Sequence, residues 1–126
     1  MNKNKKKILI IEDEPDMRQI LKSMLETYYE VLTAKDGEEG LKLAIKKKPD
    51  LVLLDIILPK MGGFEVLSKM QYDPATREIP VIILSNLGQE KEVEKGKALG
   101  ACDYLVKARV HLADILKKVE AVLKSR

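Results

Sequence analysis

Five polar or charged residues stand where apolar runs of this sequence end or are interrupted. Glu12 and Asp13 follow one run, Asp55 interrupts a second, and Ser85 and Lys107 follow two others. Carboxylates about 4 Å apart repel by roughly 4 kcal/mol per pair at an effective dielectric near 20, so a cluster of them requires a cation. Hard oxygen ligands with room for water suit Mg²⁺. A lysine ammonium and a hydroxyl can hold phosphoryl oxygens, and an aspartate can accept a phosphoryl group.

Each of these residues also has a simpler interpretation on its own. Asp55 could cap the helix that follows it, and Glu12 and Asp13 could be acids favoured at a helix N-terminus. Ser85 could be a turn hydroxyl, and Lys107 is one of 23 basic residues. The functional interpretation therefore depends on whether the fold brings the five side chains together.

Apolar patterning predicts five strands and five helices in alternation. The strands are predicted at Ile8–Ile11, Val31–Ala34, the run from Leu51, Pro80–Leu84 and Tyr104–Val106. The helices are predicted at about Pro15–Tyr28, around Leu41–Ile45, and at Gly63–Tyr72, Glu90–Leu99 and Leu112–Leu123. This order predicts an α/β fold of the (βα)5 type, a doubly wound five-stranded parallel sheet. The strand ends then share one edge, where open α/β sheets bind ligands.

The fourth predicted helix has the weakest apolar face. It offers only Val93, Ala98 and Leu99 as apolar contacts and has Gly96 in its interior. Because glycine there costs roughly 1 kcal/mol relative to alanine, we expect this helix to be the least firmly held. His111 is interpreted as a polar residue that opens the last helix.

The composition fits one domain spanning residues 1–126, with residues 1–6 as a basic, solvated tail and no output domain. The chain is 45% hydrophobic with a formal net charge of +3 and few aromatic residues, which argues against direct nucleic-acid or membrane binding. The run Ile8–Ile11 is too short for a signal peptide or a membrane span, which predicts a cytoplasmic protein. Cys102 stands alone, which excludes an intrachain disulfide, and is predicted to be a small buried residue.

Four segments of the chain resemble the response-regulator receiver domains of two-component signalling, the CheY-like family. They are Ile-Leu-Ile-Ile-Glu12-Asp13-Glu14-Pro15, Leu-Leu-Asp55-Ile-Ile-Leu-Pro59-Lys-Met-Gly62-Gly63, Val-Ile-Ile-Leu-Ser85 and Gly100-Ala-Cys-Asp-Tyr104-Leu-Val-Lys107. The resemblance extends from Ile8 to about Leu123. It implies the flavodoxin-like strand order 2-1-3-4-5.

The resemblance also implies roles for the acidic residues. Asp55 would be the phosphoacceptor. Asp13 and Asp55 would ligate Mg²⁺ together with the backbone carbonyl of Ile57, and Glu12 would assist through water.

The remaining site residues would respond to the phosphoryl group. Ser85 and Lys107 would hold its oxygens, and Tyr104 would be a switch aromatic that turns inward once Ser85 is drawn to the phosphate. Members of the family receive phosphoryl groups from a histidine kinase or a histidine phosphotransfer protein. They signal to a downstream protein through the face of the fourth helix, fifth strand and fifth helix. We expect a monomer or a weak, phosphorylation-dependent dimer.

The sequence departs from the family pattern at three places. The acidic pair begins with Glu12, where aspartate is common. Ala108 replaces the usual proline after the lysine, so the preceding peptide bond is either trans or an unusual cis bond costing roughly 3 kcal/mol. Asn86 stands where a smaller residue is usual, and neither Ile57 nor Leu87 can hydrogen-bond an attacking water, which predicts a long-lived aspartyl phosphate.

Three other interpretations compete with a phosphorylation switch. An aspartyl-phosphate phosphatase generally has a second acid two residues after its nucleophile, where this chain has Ile57, and a cap domain for which it has no room. A nucleotide- or flavin-binding domain would need a glycine-rich loop after the first strand, where this chain is acidic. A degenerate receiver that serves only as a docking module stays open because of Asn86 and Ala108.

Overall fold

The protein alternates five strands with five helices, as the apolar patterning predicts. The computed structural model describes residues 5–125. The strands are Lys7–Ile11 (β1), Glu30–Ala34 (β2), Leu51–Leu54 (β3), Val81–Ser85 (β4) and Asp103–Val106 (β5). The helices are Pro15–Leu25 (α1), Gly37–Lys47 (α2), Gly63–Tyr72 (α3), Glu90–Ala98 (α4) and Leu112–Lys124 (α5), and a short 3-10 helix, Lys107–Arg109, follows β5.

The strands form one parallel sheet in the order β2-β1-β3-β4-β5. The doubly wound fold and the strand order are therefore confirmed. Helices α2, α3 and α4 cover one face of the sheet, where Leu9 and Ile11 point, while α1 and α5 cover the other, where Ile8 and Ile10 point. Both faces are buried, which explains why the central strands β1, β3 and β4 are apolar at every position except Lys7 and Ser85, which stand at strand ends.

The third strand is shorter than its apolar run. β3 ends at Leu54, and the amide of Asp55 still donates to the carbonyl of Ile11 at 3.0 Å. Beyond this point the chain turns away, and the Ile57 side chain is 59% exposed. The apolar run therefore supplies both a buried strand and part of an exposed loop beside the strand end.

The predictions for the end of α1 and for the burial of Cys102 are wrong, and the prediction of a basic tail can be checked only in part. Helix α1 ends at Leu25 instead of Tyr28, because the amide of Tyr28 closes a turn on the Leu25 carbonyl at 3.0 Å. The Cys102 side chain is exposed instead of buried, although the preceding residue, Ala101, is part of the core. Residues 1–4 of the predicted basic tail lie outside the described residues.

The helix starts follow the expected capping chemistry. Pro15 occupies the first turn of α1, and the Asp36 carboxylate accepts from the amide of Glu39 at 2.7 Å to open α2. The amide of His111 donates to Asp114 at 3.0 Å, which places His111 at the start of α5. Between residues 5 and 125, no helix has both the length and the apolar character that crossing a membrane would require.

Candidate functional site

Three carboxylates converge at the carboxyl edge of the sheet. Oxygen atoms of Glu12, Asp13 and Asp55 all lie within 4.8 Å of one another. Glu12 and Asp13 follow β1, and Asp55 follows the adjacent strand β3, so strand pairing sets their spacing. Glu12 and Asp55 are buried, at 2% and 6% exposure, whereas Asp13 is exposed.

Lys107 bridges the two buried carboxylates. Its ammonium nitrogen lies 2.7 Å from Oε1 of Glu12 and 2.9 Å from Oδ2 of Asp55. The described residues contain no cis peptide bond, so the bond before Ala108 is trans. Lys107 instead opens the 3-10 helix after β5, and from that position its side chain reaches both acids. The absence of proline at position 108 therefore does not keep the lysine out of the site.

Burial and ion pairing oppose each other in this cluster. Burial raises the pKa of Glu12 above its usual value, the hydrogen bond from Lys107 lowers it, and the negative charge of Asp55 raises it again. For Lys107, burial alone would lower the pKa, but the hydrogen bonds to Asp55 and Glu12 outweigh it and raise the pKa. Lys107 is therefore firmly protonated beside two acids.

Backbone contacts fix the orientation of the Asp55 carboxylate. Its Oδ1 accepts from the amide of Ile56 at 2.6 Å and from the amide of Ile57 at 3.3 Å. The amide of Gly63 donates to the Ile56 carbonyl at 2.8 Å, which draws the start of α3 against the strand end. A methyl group at Gly63 would lie 2.2 Å from the Asp55 carbonyl oxygen, so only glycine permits this approach.

Ser85 and Tyr104 are linked through one residue of the loop between β4 and α4. Ser85 is fully buried, and its Oγ accepts from the amide of Leu87 at 3.3 Å. The hydroxyl of Tyr104 donates to the carbonyl of the same Leu87. Burial raises the Tyr104 pKa, with smaller contributions from the charges of Glu92 and Asp55. The Tyr104 side chain, 7% exposed, already lies inward in this structure.

These groups line one cleft of about 240 Å³. Its walls are Glu12, Asp13, Glu14, Asp55, Ile57, Ser85, Asn86 and Lys107. The structure therefore brings together all the acids, the hydroxyl and the lysine that stand at the ends of the apolar runs. Tyr104 is not part of the wall but reaches it through Leu87.

Arg18 supports the acidic pair Glu12 and Asp13, and the sequence did not indicate this role. Its Nη1 donates to the backbone carbonyl of Glu12 at 2.9 Å and to that of Asp13 at 3.3 Å. A basic residue in the helix that directly follows two acids is the pattern that could have indicated it. Since the guanidinium holds the backbone of both acids, it restricts where their carboxylates can go.

The donor set fits a small divalent cation. Carboxylate oxygens are the hard ligands that Mg²⁺ prefers, and three of them share the cleft. Each carboxylate oxygen has more than one lone pair, so the hydrogen bonds from Lys107 and from backbone amides leave capacity for a metal. Asp13 is the most accessible of the three acids because its side chain is exposed.

Comparison with known proteins identifies the family. The family model described as the response regulator receiver domain matches residues 8–120. The chain belongs to this family. It is thus a receiver domain of two-component signalling, and the resemblance noted from the four motifs is confirmed.

Relatives of this receiver occur both as single domains and within longer chains. It is 42% identical over 118 residues to protein PilH of Pseudomonas aeruginosa, covering 93% of this chain and 97% of PilH. It is 40% identical over 119 residues to the DNA-binding dual master transcriptional regulator RpaA of Synechocystis, covering 94% of this chain but only 49% of RpaA.

Solved structures agree with the fold. The CheY-like receiver domain protein of Methanospirillum hungatei superposes with a TM-score of 0.89 at 29% identity, covering 97% of this chain and 96% of that one. Chemotaxis protein CheY4 of Vibrio cholerae superposes with a TM-score of 0.85 at 30% identity, covering 94% and 98% respectively.

Proposed function

We propose that this receiver is a phosphorylation-controlled switch in which Asp55 accepts the phosphoryl group. The donor is a phosphohistidine of a histidine kinase or of a histidine phosphotransfer protein. A P–O bond forms to the Asp55 carboxylate as the P–N bond breaks, and the leaving imidazole nitrogen takes up a proton. The observation that carries the proposal is the geometry of Lys107, which pairs with Asp55 at 2.9 Å inside a cleft lined by three further acids.

Asp13, Asp55 and the backbone carbonyl of Ile57 would hold Mg²⁺, with Glu12 assisting through water. The cation would supply positive charge that offsets repulsion between the acids and the incoming phosphoryl oxygens. Support for this assignment comes from the three carboxylates within 4.8 Å of one another.

The protein's own polar groups orient the phosphoryl group in this proposal. Lys107 neutralises part of its charge, and Ser85 donates its hydroxyl hydrogen to a phosphoryl oxygen. Ser85 and Tyr104 are both hydrogen-bonded to Leu87. A displacement of the Ser85 hydroxyl is therefore transmitted through Leu87 to the tyrosine. The consequence is a change in the face formed by α4, β5 and α5, which binds a downstream protein.

The weak packing of α4 supports a role of this helix in signalling. Gly96 is the only buried residue of that helix, as expected from its weak apolar pattern. A helix with so little buried apolar surface is held weakly and can shift at small cost.

The test is phosphorylation by a small-molecule donor. The protein is incubated with acetyl phosphate and Mg²⁺, and its intact mass is compared with that of Asp55→Asn and of a matched control, Asp103→Asn, at the opposite edge of the sheet. The proposal expects one phosphate adduct in the parent and in the control and none in Asp55→Asn. No adduct at all would favour a docking module, and continuous release of phosphate with turnover would favour a phosphatase.

A further inference from the structure

Gly96 occupies a position in α4 where glycine is unfavourable unless space demands it. In a helix interior glycine costs roughly 1 kcal/mol relative to alanine. A methyl group at this position would lie 2.6 Å from Cδ1 of Ile83 and 2.9 Å from Cδ2 of Tyr104. Real side chains do not approach so closely, so an alanine here requires both contacts to be relieved.

The Tyr104 ring that fills this space is tied to the phosphorylation site. Its hydroxyl donates to the Leu87 carbonyl, and the amide of Leu87 donates to Oγ of Ser85 at 3.3 Å. Gly96 therefore contacts the tyrosine, the tyrosine contacts the loop, and the loop contacts Ser85. Gly96 itself does not line the cleft.

We infer that Gly96 is a positioning residue for Ser85: it leaves the space that lets the Tyr104 ring lie inward and hold the loop between β4 and α4. A methyl group at position 96 turns Tyr104 outward and breaks its hydrogen bond to Leu87. The loop is then free to move, and the Ser85 hydroxyl loses the hydrogen bond from the Leu87 amide that helps to orient it. A change at Ser85 should in turn slow phosphoryl transfer to Asp55, and only this expectation rests on the function proposed above.

A purely structural role of Gly96 makes a different prediction. If glycine is needed only to avoid Ile83, the clash does not involve the tyrosine. Replacing Ile83 by valine removes Cδ1, the atom nearest to the added methyl group. In an Ile83→Val background, Tyr104 is the side chain left in close contact with an alanine at position 96.

The first experiment is a thermodynamic cycle measured by urea unfolding. Gly96→Ala is made in the parent, in Ile83→Val and in Ile83→Val/Tyr104→Ala, with Glu94→Ala on the exposed face of α4 as the control. We expect Gly96→Ala to raise the unfolding equilibrium constant in the parent and in Ile83→Val. In Ile83→Val/Tyr104→Ala both close neighbours of the added methyl group are gone, and the better helix propensity of alanine lowers that constant by about fivefold.

The second experiment observes the tyrosine directly by ¹⁹F NMR of protein containing 3-fluorotyrosine. The signal that disappears in Tyr104→Phe belongs to Tyr104. In Gly96→Ala/Ile83→Val this signal shifts and becomes accessible to a soluble paramagnetic agent, whereas in Ile83→Val and Glu94→Ala it stays protected. The rate of adduct formation with acetyl phosphate falls in the same variant.

The outcomes separate this inference from the proposed function. An unchanged, protected Tyr104 signal in folded Gly96→Ala/Ile83→Val overturns the inference, as does an equal effect of Gly96→Ala with and without the Tyr104 ring. If the parent forms no adduct on Asp55, the proposed function fails, but the unfolding cycle and the NMR signal still decide whether Gly96 positions the tyrosine.

Discussion

Replacing Lys107 by methionine tests the electrostatics of the site. The ammonium lies between two carboxylates that are almost fully buried, and the lysine side chain is itself only 10% exposed. Methionine keeps much of the aliphatic stem but removes the charge. Glu12 and Asp55 then face each other without their shared cation.

The size of the effect follows from two independent estimates. Two charges 4.8 Å apart, the limit for the acidic oxygens of this cluster, repel by roughly 3.5 kcal/mol at an effective dielectric near 20. Removing one partner of a buried ion pair typically costs about 3 to 5 kcal/mol. We therefore expect Lys107→Met to lower the free energy of unfolding by about 3 kcal/mol at pH 7 in the presence of EDTA.

Urea unfolding with EDTA and with Mg²⁺ is the assay. A cation present at 100 times its Kd raises the free energy of unfolding by about 2.7 kcal/mol. This gain should be larger in Lys107→Met than in the parent, because no ammonium competes for the same oxygens. Adding Asp55→Asn to Lys107→Met removes one of the two facing charges and should restore stability. The reasoning is refuted if Lys107→Met is as stable as the parent in EDTA, or if Asp55→Asn destabilises it further.

Three other predictions concern separate parts of the molecule. Arg18→Ala should weaken Mg²⁺ binding by about tenfold in calorimetry, because the backbone of the acidic pair loses its support, with Arg18→Lys intermediate; unchanged affinity would contradict this role. The pair between Lys118 and Asp103, at 2.7 Å, should contribute about 0.5 kcal/mol. Although burial acts to raise the Asp103 pKa, the hydrogen bond from Lys118 lowers it overall from 3.8. This stability is therefore present above pH 3.8 and is lost as the pH falls through the lowered folded-state pKa; urea unfolding of Asp103→Asn at pH 7 and pH 3 should show the difference shrinking. Finally, the aspartyl phosphate should outlast minutes in Mg²⁺ buffer, and Ile57→Asn should hasten its loss on the order of tenfold; loss from the parent within seconds would disprove the idea.

The strand ends were predictable because charge interrupts apolar sequence there. A buried strand cannot continue through an unpaired carboxylate, so Asp55 had to lie where β3 leaves the core. The same logic places Glu12, Ser85 and Lys107 at the edge of the sheet. What patterning alone could not supply is which strands are neighbours, since a parallel sheet permits several orders. That information came from the resemblance of the motifs to receiver domains.

Contacts between distant segments explain what the sequence did not disclose. Arg18 acts on backbone carbonyls, and no pattern of side chains reveals which carbonyls a helix will bring within reach. Gly96 was interpreted from its propensity alone, as a weakness of α4, whereas in the structure Ile83 and Tyr104 fill the space that a side chain there would occupy. Cys102 was expected inside because it is small, but size does not determine which way a residue faces, and the side chain is exposed.

The balance of charge at the site predicts that the proposed switch acts on the loop after β4. With all four groups ionised, the three carboxylates and Lys107 leave two negative charges, which one divalent cation offsets. Phosphorylation replaces the single charge of Asp55 by nearly two, so about one negative charge is left without a counterpart. Lys107 already pairs with Asp55 at 2.9 Å, so its charge is counted in this balance. The hydroxyl of Ser85 accepts a hydrogen bond from Leu87 and keeps its own hydrogen to donate. The added negative charge should therefore attract the Ser85 hydroxyl and with it the loop after β4. Tyr104 holds that loop through its hydrogen bond to the Leu87 carbonyl.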